Sequence, residues 1–347
     1  MAYTNIDDPS AHFQTLAYTG NADTPSQTFT NTGNSNLKPD LLWVKNRTGW
    51  GARNHLLWDS SRGVNKYLRS NTTNAELTSS YQTFNTDGFT VPEGFETAYI
   101  GPYVAWQWKA NGGTTASNSD GNITSTVQAN TTAGFSIVTW TGNENSSASV
   151  GHGLGVTPDL VMFKNRSSAY NWVIYLGALG QTSGNNMFAY LNLTNAAEQG
   201  AGITFTSSLL NPGSGATTNA SSMLAYCFNN VQGYSKFGSY EGNSNANGPF
   251  IYTGFKPAFV MLKPADVAEQ WVMHDGARDP GNKAYHYLFA NGSEAEASGG
   301  THGIDLLSNG FKIRTNNANW NASSTVIYMA FAENPFVTST GIPTTAR

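Results

Sequence analysis

The chain carries few residues whose types and spacing could support catalysis. One of its histidines stands beside an acidic residue, in His274-Asp275. A general base and the carboxylate that orients it must lie within hydrogen-bond distance. Adjacent side chains on a β-strand, however, point to opposite faces. We therefore expect neither a base–carboxylate pair nor a metal site from these two residues.

Glutamates recur at one place in each third of the chain. Each follows a Tyr-Leu pair, eight or nine residues after the tyrosine: Tyr67 and Glu76, Tyr190 and Glu198, Tyr287 and Glu296. Glycoside hydrolysis needs two carboxyl groups that face one cleft, about 5 to 10 Å apart. A glutamate that recurs once per repeat is typical of a turn or cap instead. The sequence also lacks a Gly-x-Ser-x-Gly elbow, a P-loop and a His-Glu-x-x-His motif. It therefore predicts no catalytic, cofactor-binding or metal-binding residue.

Three aromatic residues in polar loops are the candidate contact residues: Trp50, Tyr170 and Trp320. Trp50 and Tyr170 follow Arg47 and Arg166 in corresponding loops, and Trp320 stands between two asparagines. An aromatic ring beside amides can cover the apolar face of a sugar while the amides bind its hydroxyls. The alternative is that these rings pack against a neighbouring unit or protomer. Both interpretations remain open at this point.

The elements that must position these residues recur three times in the same order. A proline opens an apolar run that ends in lysine: Pro39 to Lys45, Pro158 to Lys164 and Pro257 to Lys263. A tryptophan phrase follows, at Trp58, Trp172 and Trp271. An apolar-Ala-aromatic phrase closes each unit, around Ala105, Ala225 and Ala330. Ordered repetition of this kind is typical of a chain built from one structural unit.

Short β-branched and aromatic runs separated by Asn-Gly and Asp-Gly turns predict antiparallel strands. We therefore expect an all-β protein of three tandem β-sandwich or jelly-roll-like units of about 100 residues each. The predicted division is unit one at 1–110, a linker at 111–120, unit two at 121–231, unit three at 232–337 and a tail at 338–347. The linker predicts that unit one is more independent than the other two.

Composition excludes several classes of function. Charged residues make up 12% of the 347 residues, the net charge is −4, and no basic cluster occurs, which argues against nucleic acid. No apolar run reaches the ~18 residues of a membrane span. The N-terminus has no basic and apolar signal region, so we expect synthesis in a cytoplasm without export. The single cysteine, Cys227, permits no internal disulfide and no cysteine-based metal site.

Several longer phrases resemble a family of proteins built from repeats, encoded by tailed bacteriophages of marine bacteria, including cyanophages and pelagiphages. They are PDLLWVKNR at 39–47, WDSSRGVNKYL at 58–68, TDGFT at 86–90, the segment 237–252 and the closing phrase YMAFAENPF at 328–336. Members of that family are labelled tail fibre or structural protein, or have no known function. The resemblance implies a virion structural protein and supplies no catalytic residues.

Three functions follow as hypotheses. The leading one is a non-enzymatic fibre or adhesin on the virion surface that contacts the host envelope, with host-surface carbohydrate as a candidate ligand. The alternative is a decoration protein that binds the capsid head, and the third is a polysaccharide depolymerase. Low charge and many short polar loops also favour packing against other virion proteins and against copies of the chain, with a homotrimer as the expected assembly.

Overall fold

The computed structural model describes residues 3–21, 26–48, 53–79, 82–92, 95–182, 185–200, 202–213, 220–298 and 303–344. The prediction of an all-β protein is confirmed, because antiparallel strands make up nearly all of its regular structure. Within these residues the helical elements are two 3₁₀ turns, at Pro9–Ala11 and Gly177–Leu179, and one four-residue α-helix, α1 (Ala318–Asn321). No helix in the described part is long enough to cross a bilayer.

Unit one contains a large and a small antiparallel sheet. Its strands are β1 (Phe13–Gly20), β2 (Ser26–Phe29), β3 (Leu41–Asn46), β4 (Leu56–Asp59), β5 (Lys66–Leu68), β6 (Leu77–Thr78), β7 (Thr83–Phe84), β8 (Phe89–Pro92) and β9 (Gly101–Trp108). The large sheet has the order β1-β9-β3-β4-β5-β6, and the small sheet has the order β2-β8-β7.

Unit two has the same pair of sheets with additional strands at the edges of the large one. The strands are β10 (Ala116–Asn118), β11 (Ser125–Asn130), β12 (Phe135–Thr141), β13 (Val150–Gly151), β14 (Leu160–Asn165), β15 (Val173–Leu176), β16 (Gln181–Thr182), β17 (Asn185–Tyr190), β18 (Glu198–Gln199), β19 (Ile203–Phe205), β20 (Leu209–Pro212) and β21 (Ser222–Phe228). The large sheet has the order β10-β11-β12-β21-β14-β15-β17, after which β17 pairs with both β16 and β18. The small sheet has the order β13-β20-β19.

Unit three repeats this plan. Its strands are β22 (Ser235–Glu241), β23 (Phe250–Tyr252), β24 (Phe255–Pro264), β25 (Val272–Asp275), β26 (Lys283–Ala284), β27 (His286–Phe289), β28 (Ala297–Ser298), β29 (Ile304–Leu307), β30 (Gly310–Ile313) and β31 (Thr325–Pro335). The large sheet has the order β22-β31-β24-β25-β27-β28, and the small sheet has the order β23-β30-β29-β26.

The large sheets share a common register as well as a common strand order. The lysine-terminated strands β3, β14 and β24 each pair with the closing strands β9, β21 and β31. Opposite one another on these pairs stand Trp43 and Trp106, Met162 and Tyr226, and Met261 and Met329. Corresponding positions can therefore be compared residue by residue across the three large sheets. The exact boundaries of the three units stay a prediction.

One hydrophobic cluster in the centre of the molecule joins all three large sheets. Trp43, Met162 and Met261 face this central cluster, together with one aromatic residue of each closing strand, Trp108, Phe228 and Phe331. The ring centroids of Trp108 and Phe331 lie 5.5 Å apart, and those of Phe228 and Phe331 lie 5.7 Å apart. The inner face of each large sheet is thus covered by the other two units.

The outer face of each large sheet packs against the small sheet of its own unit. Val44 and Phe89 belong to the outer cluster of unit one, Val161 and Leu210 to that of unit two, and Val260 and Phe311 to that of unit three. Because residues alternate along a strand, a large sheet with two buried faces must be apolar at nearly every position. This explains why β3 and β14 are buried along their whole length.

Two predictions about the organisation of the units were wrong. Residues 111–120, predicted as a linker, include β10, which pairs with β11 and extends the large sheet of unit two. The backbone amides of Gly112 and Gly113 also donate to the side chains of Asp40 and Gln128, 2.8 Å away in each case. Unit one is not more independent than the others, because its inner face lies in the same central cluster as theirs.

Candidate functional site

The three candidate aromatic residues have different positions in the structure. Trp50 lies outside the described residues. Tyr170 is exposed, as expected for a contact residue. Trp320 was wrongly predicted to be a contact residue, because its side chain is completely buried in unit three. Its indole Nε1 donates to Nε2 of His274 over 2.8 Å, and its ring meets Tyr287 edge-on at 5.0 Å.

The asparagines next to Trp320 form hydrogen bonds that stabilise the short helix α1, so they are not available as a ligand site. The side chain of Asn317 caps α1 by accepting from the amide of Asn319 at 3.0 Å. The side-chain amide of Asn321 donates to the carbonyl oxygens of Thr315 and Asn245, over 2.8 and 2.7 Å. Asparagines around a tryptophan therefore reflect capping of a single helical turn at this position.

The charged residues that could take part in chemistry meet instead at the junctions between units. At the junction of units one and two, Arg166 of unit two forms a two-bonded ion pair with Glu76 of unit one, at 2.8 and 3.0 Å. Arg62 of unit one donates to the same carboxylate at 3.0 Å. The backbone amide of Glu76 also donates to the carbonyl oxygen of Arg166 at 2.8 Å. Glu76 is thus held by both units.

The junction of units three and one repeats this arrangement. Arg47 of unit one forms a two-bonded ion pair with Glu296 of unit three, at 2.9 and 2.7 Å. Arg278 of unit three donates to Glu296 at 3.0 Å, and the amide of Glu296 donates to the carbonyl oxygen of Arg47 at 2.9 Å. The same four contacts therefore join two different pairs of units.

A buried aspartate completes each of these networks. Asp59 accepts from the guanidinium of Arg62 and, at 2.6 Å, from the hydroxyl of Tyr226 in unit two. Asp275 accepts from Nε of Arg278 at 2.6 Å and from the indole of Trp106 in unit one at 3.1 Å. The side chains of both Arg–Asp pairs are completely buried. The charges are therefore paired and hydrogen-bonded, as buried charges must be.

Ionisation of the two glutamates is favoured by these contacts. Burial by itself would raise the pKa of Glu76, but the hydrogen bond from Arg166 and the charge of Arg62 outweigh it and lower that pKa. For Glu296, burial again raises the pKa, and the hydrogen bond from Arg47 and the charge of Arg278 outweigh it and lower that pKa. A carboxylate stabilised as the anion is a poor general acid at neutral pH.

The junction of units two and three lacks the ion network. Where the other junctions have an aspartate and its arginine, strand β15 and the following turn have Leu176 and Leu179. Ala197 and Ala265 replace the glutamate and its partner arginine, and their backbones keep the junction hydrogen bond, at 2.6 Å. All four residues belong to or pack against the central cluster. An apolar contact thus takes the place of four charges.

The prediction that Glu198 is the counterpart of Glu76 and Glu296 was wrong by one position. Strand β18 begins at Glu198, as β6 begins at Leu77 and β28 at Ala297. The residue that precedes the strand in unit two is therefore Ala197. Glu198 is exposed and pairs with Phe188 across the edge of the sheet.

A second recurring contact crosses every junction. The ammonium group of each recurring lysine donates to a backbone carbonyl oxygen of a neighbouring unit. The pairs are Lys45 with Ser293 at 3.3 Å, Lys164 with Thr73 at 3.1 Å and Lys263 with Thr194 at 3.1 Å. Each lysine is almost fully buried on the inner face of its sheet. Burial lowers the pKa of each of these lysines from 10.5 to about 8.

The residue that precedes β4, β15 or β25 also donates a hydrogen bond across a junction, through a ring nitrogen. The indole of Trp172 donates to the carbonyl oxygen of Arg69 at 2.8 Å, and that of Trp271 donates to Tyr190 at 2.9 Å. In unit one this position is His55, whose Nε2 lies 3.0 Å from the carbonyl oxygen of Phe289. The predicted match of Trp58 to the other two tryptophans was therefore wrong, since Trp58 lies in the outer cluster.

The remaining candidates for chemistry are engaged in structure. As strand alternation predicts, His274 bonds to Trp320 in the outer cluster, whereas Asp275 faces the junction with unit one. Cys227 is completely buried, and burial raises the pKa of its thiol to about 12. Among the described residues, no group of three or more His, Cys, Asp or Glu could hold a metal ion.

A cleft of about 350 Å³ opens between units one and three. Lys256 and Glu333 form an ion pair at its wall. The side chain of Gln14 donates to the carbonyl oxygen of Ser35 at 2.7 Å and accepts from the amide of Gly33 at 2.9 Å. These polar groups bind one another and thereby fix the loops around the cleft.

Comparisons with known proteins place the chain in a family without assigning an activity. The family model described as "Domain of unknown function (DUF7483)" matches residues 8–335. The searches of curated proteins and of solved structures gave no match.

Replacing Glu76 by alanine should destabilise the protein by about 3–5 kcal/mol, because it leaves the buried Arg62 and its neighbour Arg166 without their shared carboxylate. The matched control, Glu198→Ala, removes an exposed glutamate and should change the free energy of unfolding by less than about 0.5 kcal/mol. Chemical denaturation of both variants measures the difference. Equal effects of the two substitutions would refute the assigned role of Glu76.

The apolar junction between units two and three suggests substitutions that should restore the stability lost in Glu76→Ala. Asp59→Leu, Arg62→Leu, Glu76→Ala, Arg166→Ala and Tyr226→Met together install the residues of the junction between units two and three. Replacing a complete buried ion network by packed apolar residues is often neutral or stabilising. We expect the fivefold variant to recover most of the stability lost in Glu76→Ala, measured by the same denaturation.

The buried lysines predict a rise in stability with pH. Their pKa is about 8 in the folded protein and 10.5 in an unperturbed lysine. Between these values the unfolded chain binds more protons, so the free energy of unfolding increases with pH. Each lysine contributes at most about 1.4 kcal/mol per pH unit.

Denaturation between pH 7.5 and 9 measures this slope. Lys164→Met should reduce the slope by about a third, because one of three comparable groups is removed. The surface variant Lys66→Met is the matched control and should keep the slope of the unmodified protein. A fall in stability over this pH range, or an unchanged slope in Lys164→Met, would contradict the prediction.

Proposed function

We propose that this chain, which belongs to the DUF7483 family, is a non-enzymatic structural protein on the surface of a bacteriophage particle. One observation carries the proposal: the recurring acidic and basic residues form ion pairs that join neighbouring units. Glu76 and Glu296 each bind two arginines, and Asp59 and Asp275 lie beneath them. Residues that could cut or transfer a group are used to hold three units together.

The resemblance to structural proteins of tailed phages supports the same conclusion. A virion protein must keep its shape outside the cell, and a single core shared by three units serves that need. We place the chain in the virion after synthesis in the host cytoplasm, with capsid or tail proteins as its partners. The leading role is a fibre or adhesin that contacts the host envelope.

A head-decoration protein is the second candidate, and the arrangement of units favours it. Three large sheets of matching strand order surround one core, and their small sheets lie on the outside. Three similar outward surfaces could make three similar contacts around a local threefold axis of a capsid lattice. This argument concerns symmetry alone and does not depend on an individual side chain.

A depolymerase is the third candidate and has the least support. It would need two carboxyl groups that face one substrate. Asp59 and Glu76 accept from one arginine, as do Asp275 and Glu296, and both pairs lie at junctions. New reducing ends after incubation of the purified chain with host polysaccharide would favour this candidate over the other two.

Self-association into a homotrimer remains part of the proposal. Tyr170, exposed and beside the junction loop that carries Arg166, is the candidate contact residue in the described part of the chain. Each chain already closes a core of three units by itself, so association would add contacts between finished surfaces rather than complete the fold.

Density for the chain on an intact particle tests the location. A fibre or adhesin should appear at the tail, and excess purified chain should then slow adsorption of the phage to its host. A decoration protein should appear on the head shell without affecting adsorption. Clusters of three copies would support the trimer, and isolated copies would refute it. Absence of the chain from purified particles would overturn the whole proposal.

A further inference from the structure

Exposed aromatic residues concentrate on one sheet of the molecule. Among the described Phe, Tyr and Trp residues, four are classed as exposed: Tyr170, Phe250, Tyr252 and Tyr285. Three of these four lie on or beside the small sheet of unit three: Phe250 and Tyr252 on the edge strand β23, and Tyr285 directly after β26 at the opposite edge. They are exposed by 45, 53 and 39% respectively.

These aromatic residues share the outer face of the sheet with a row of charged residues. In the register of the sheet, Phe250 stands opposite Lys312, Lys312 opposite Asp305, and Asp305 opposite Lys283. Residues directly opposite each other in antiparallel strands project from the same face. The intervening residues, among them Ile251 and Phe311, point inward to the outer cluster of unit three. We call the outward set, Phe250, Tyr252, Tyr285, Lys283, Lys312 and Asp305, the unit-three outer face.

The other two units carry small residues at the corresponding places. Phe29, Val150 and Ile251 occupy equivalent inward positions, opposite Phe89, Leu210 and Phe311. The neighbours of Phe29 are Thr28 and Thr30, and those of Val150 are Ser149 and Gly151, where unit three has Phe250 and Tyr252. The fold therefore does not require aromatic residues at these two positions of the small sheet. Among the three units, only unit three exposes them there.

The surroundings of Tyr252 fix the position of its ring. Tyr252 stands opposite Gly310, and a Cβ atom at Gly310 would come within 2.0 Å of the carbonyl oxygen of Ile251. The ring of Phe250 is adjacent, since its Cε2 atom would lie 3.2 Å from that Cβ. The hydroxyl of Tyr252 lies 2.9 Å from that of Tyr3, which also donates to the carbonyl oxygen of Gly254 at 3.0 Å. The ring is thereby held at its polar end.

The mixture of residues indicates the kind of partner. Protein interfaces are depleted of lysine and aspartate at their centres, whereas here Lys312, Asp305 and Lys283 lie between the aromatic edges. Aromatic rings flanked by hydrogen-bonding groups suit a ligand with apolar faces and many hydroxyls. Asp305 is paired with Arg314, so Lys283 and Lys312 give this face a local excess of positive charge in a chain whose net charge is −4. The ammonium of Lys312 also donates to the carbonyl oxygen of Gly248 at 2.6 Å, which holds it at the edge of the face. This local excess of positive charge is complementary to an acidic ligand.

We propose that the unit-three outer face binds an acidic saccharide, with Phe250 and Tyr252 stacking on sugar rings and Lys283 and Lys312 binding carboxylate and hydroxyl groups. The inference rests on the proposed role as an adhesin and names the class of surface molecule that it would contact. Tyr285, over whose ring the ammonium of Lys283 lies at 4.3 Å, extends the binding surface at the far edge.

Isothermal titration of the full chain with alginate oligosaccharides, which carry a carboxylate on every sugar, tests the site. Dextran oligosaccharides of equal length are the neutral comparison. The double variant Phe250→Thr with Tyr252→Thr installs the residues of unit one, which the same fold tolerates. We expect tighter binding of alginate than of dextran, and a loss of affinity of about tenfold or more in the double variant. Val156→Thr removes an exposed apolar side chain of unit two, far from this sheet in sequence, and should leave the affinity unchanged.

Circular dichroism and thermal unfolding establish that the variants are folded. Absence of alginate binding by the unmodified chain would overturn the proposal, as would equal affinity of the double variant or equal binding of dextran. The site and the adhesin role fail separately. A chain found on the head shell that still binds alginate through Phe250 and Tyr252 would refute the role and retain the site. A chain on the tail that binds no saccharide would refute the site and retain the role.

Discussion

The burial of three large sheets against one another in the central cluster is the interaction on which the rest of the structure depends. Each large sheet is apolar on both faces, and the small sheet of its unit covers only one of them. The inner face of any one unit would be exposed to water if the other two were removed. Residues such as Trp43, Met162 and Met261 are almost completely buried because three units meet there. The three large sheets thus share one core rather than each packing in a separate domain.

The polar contacts at the junctions determine which surfaces meet. Each recurring lysine donates to a carbonyl oxygen of its neighbour, and this contact is the same at all three junctions. The ion networks at Glu76 and Glu296 occupy two junctions, whereas leucine and alanine occupy the third. A buried ion network contributes less net stability than its contact list suggests, because desolvation opposes it. The networks pair every buried charge across the two junctions that contain them.

Much of the fold could be predicted from the sequence, and the failures have identifiable physical causes. The lysine-terminated and closing phrases could be found because both faces of their strands are buried, which restricts their residue types. Trp58 was matched to the wrong residues because a tryptophan fills the outer cluster in unit one, while in the other units it donates across a junction. Glu198 was matched to Glu76 because counting along a chain does not detect a shift of one position at a strand edge.

The junctions could not be predicted, because their partners are distant in sequence. Arg47 and Glu296 are separated by 249 positions, and Arg166 and Glu76 by 90. Nothing local indicates that such residues meet. Trp320 shows the opposite error, since its polar neighbours indicated an exposed loop although they cap a buried helical turn. The exposed aromatic residues of unit three were also overlooked, because Phe250 and Tyr252 alternate with an apolar residue as ordinary strand residues do.

Differential scanning calorimetry of the full chain tests most directly whether the three units share one core. Because no unit can expose its inner face without exposing those of the others, the account predicts a single transition with equal calorimetric and van't Hoff enthalpies. Met162→Ala, a change confined to unit two but located in the central cluster, should lower the temperature of that whole transition, at a cost of about 2–5 kcal/mol. Separate transitions for the units, or a Met162→Ala effect limited to one of them, would contradict it.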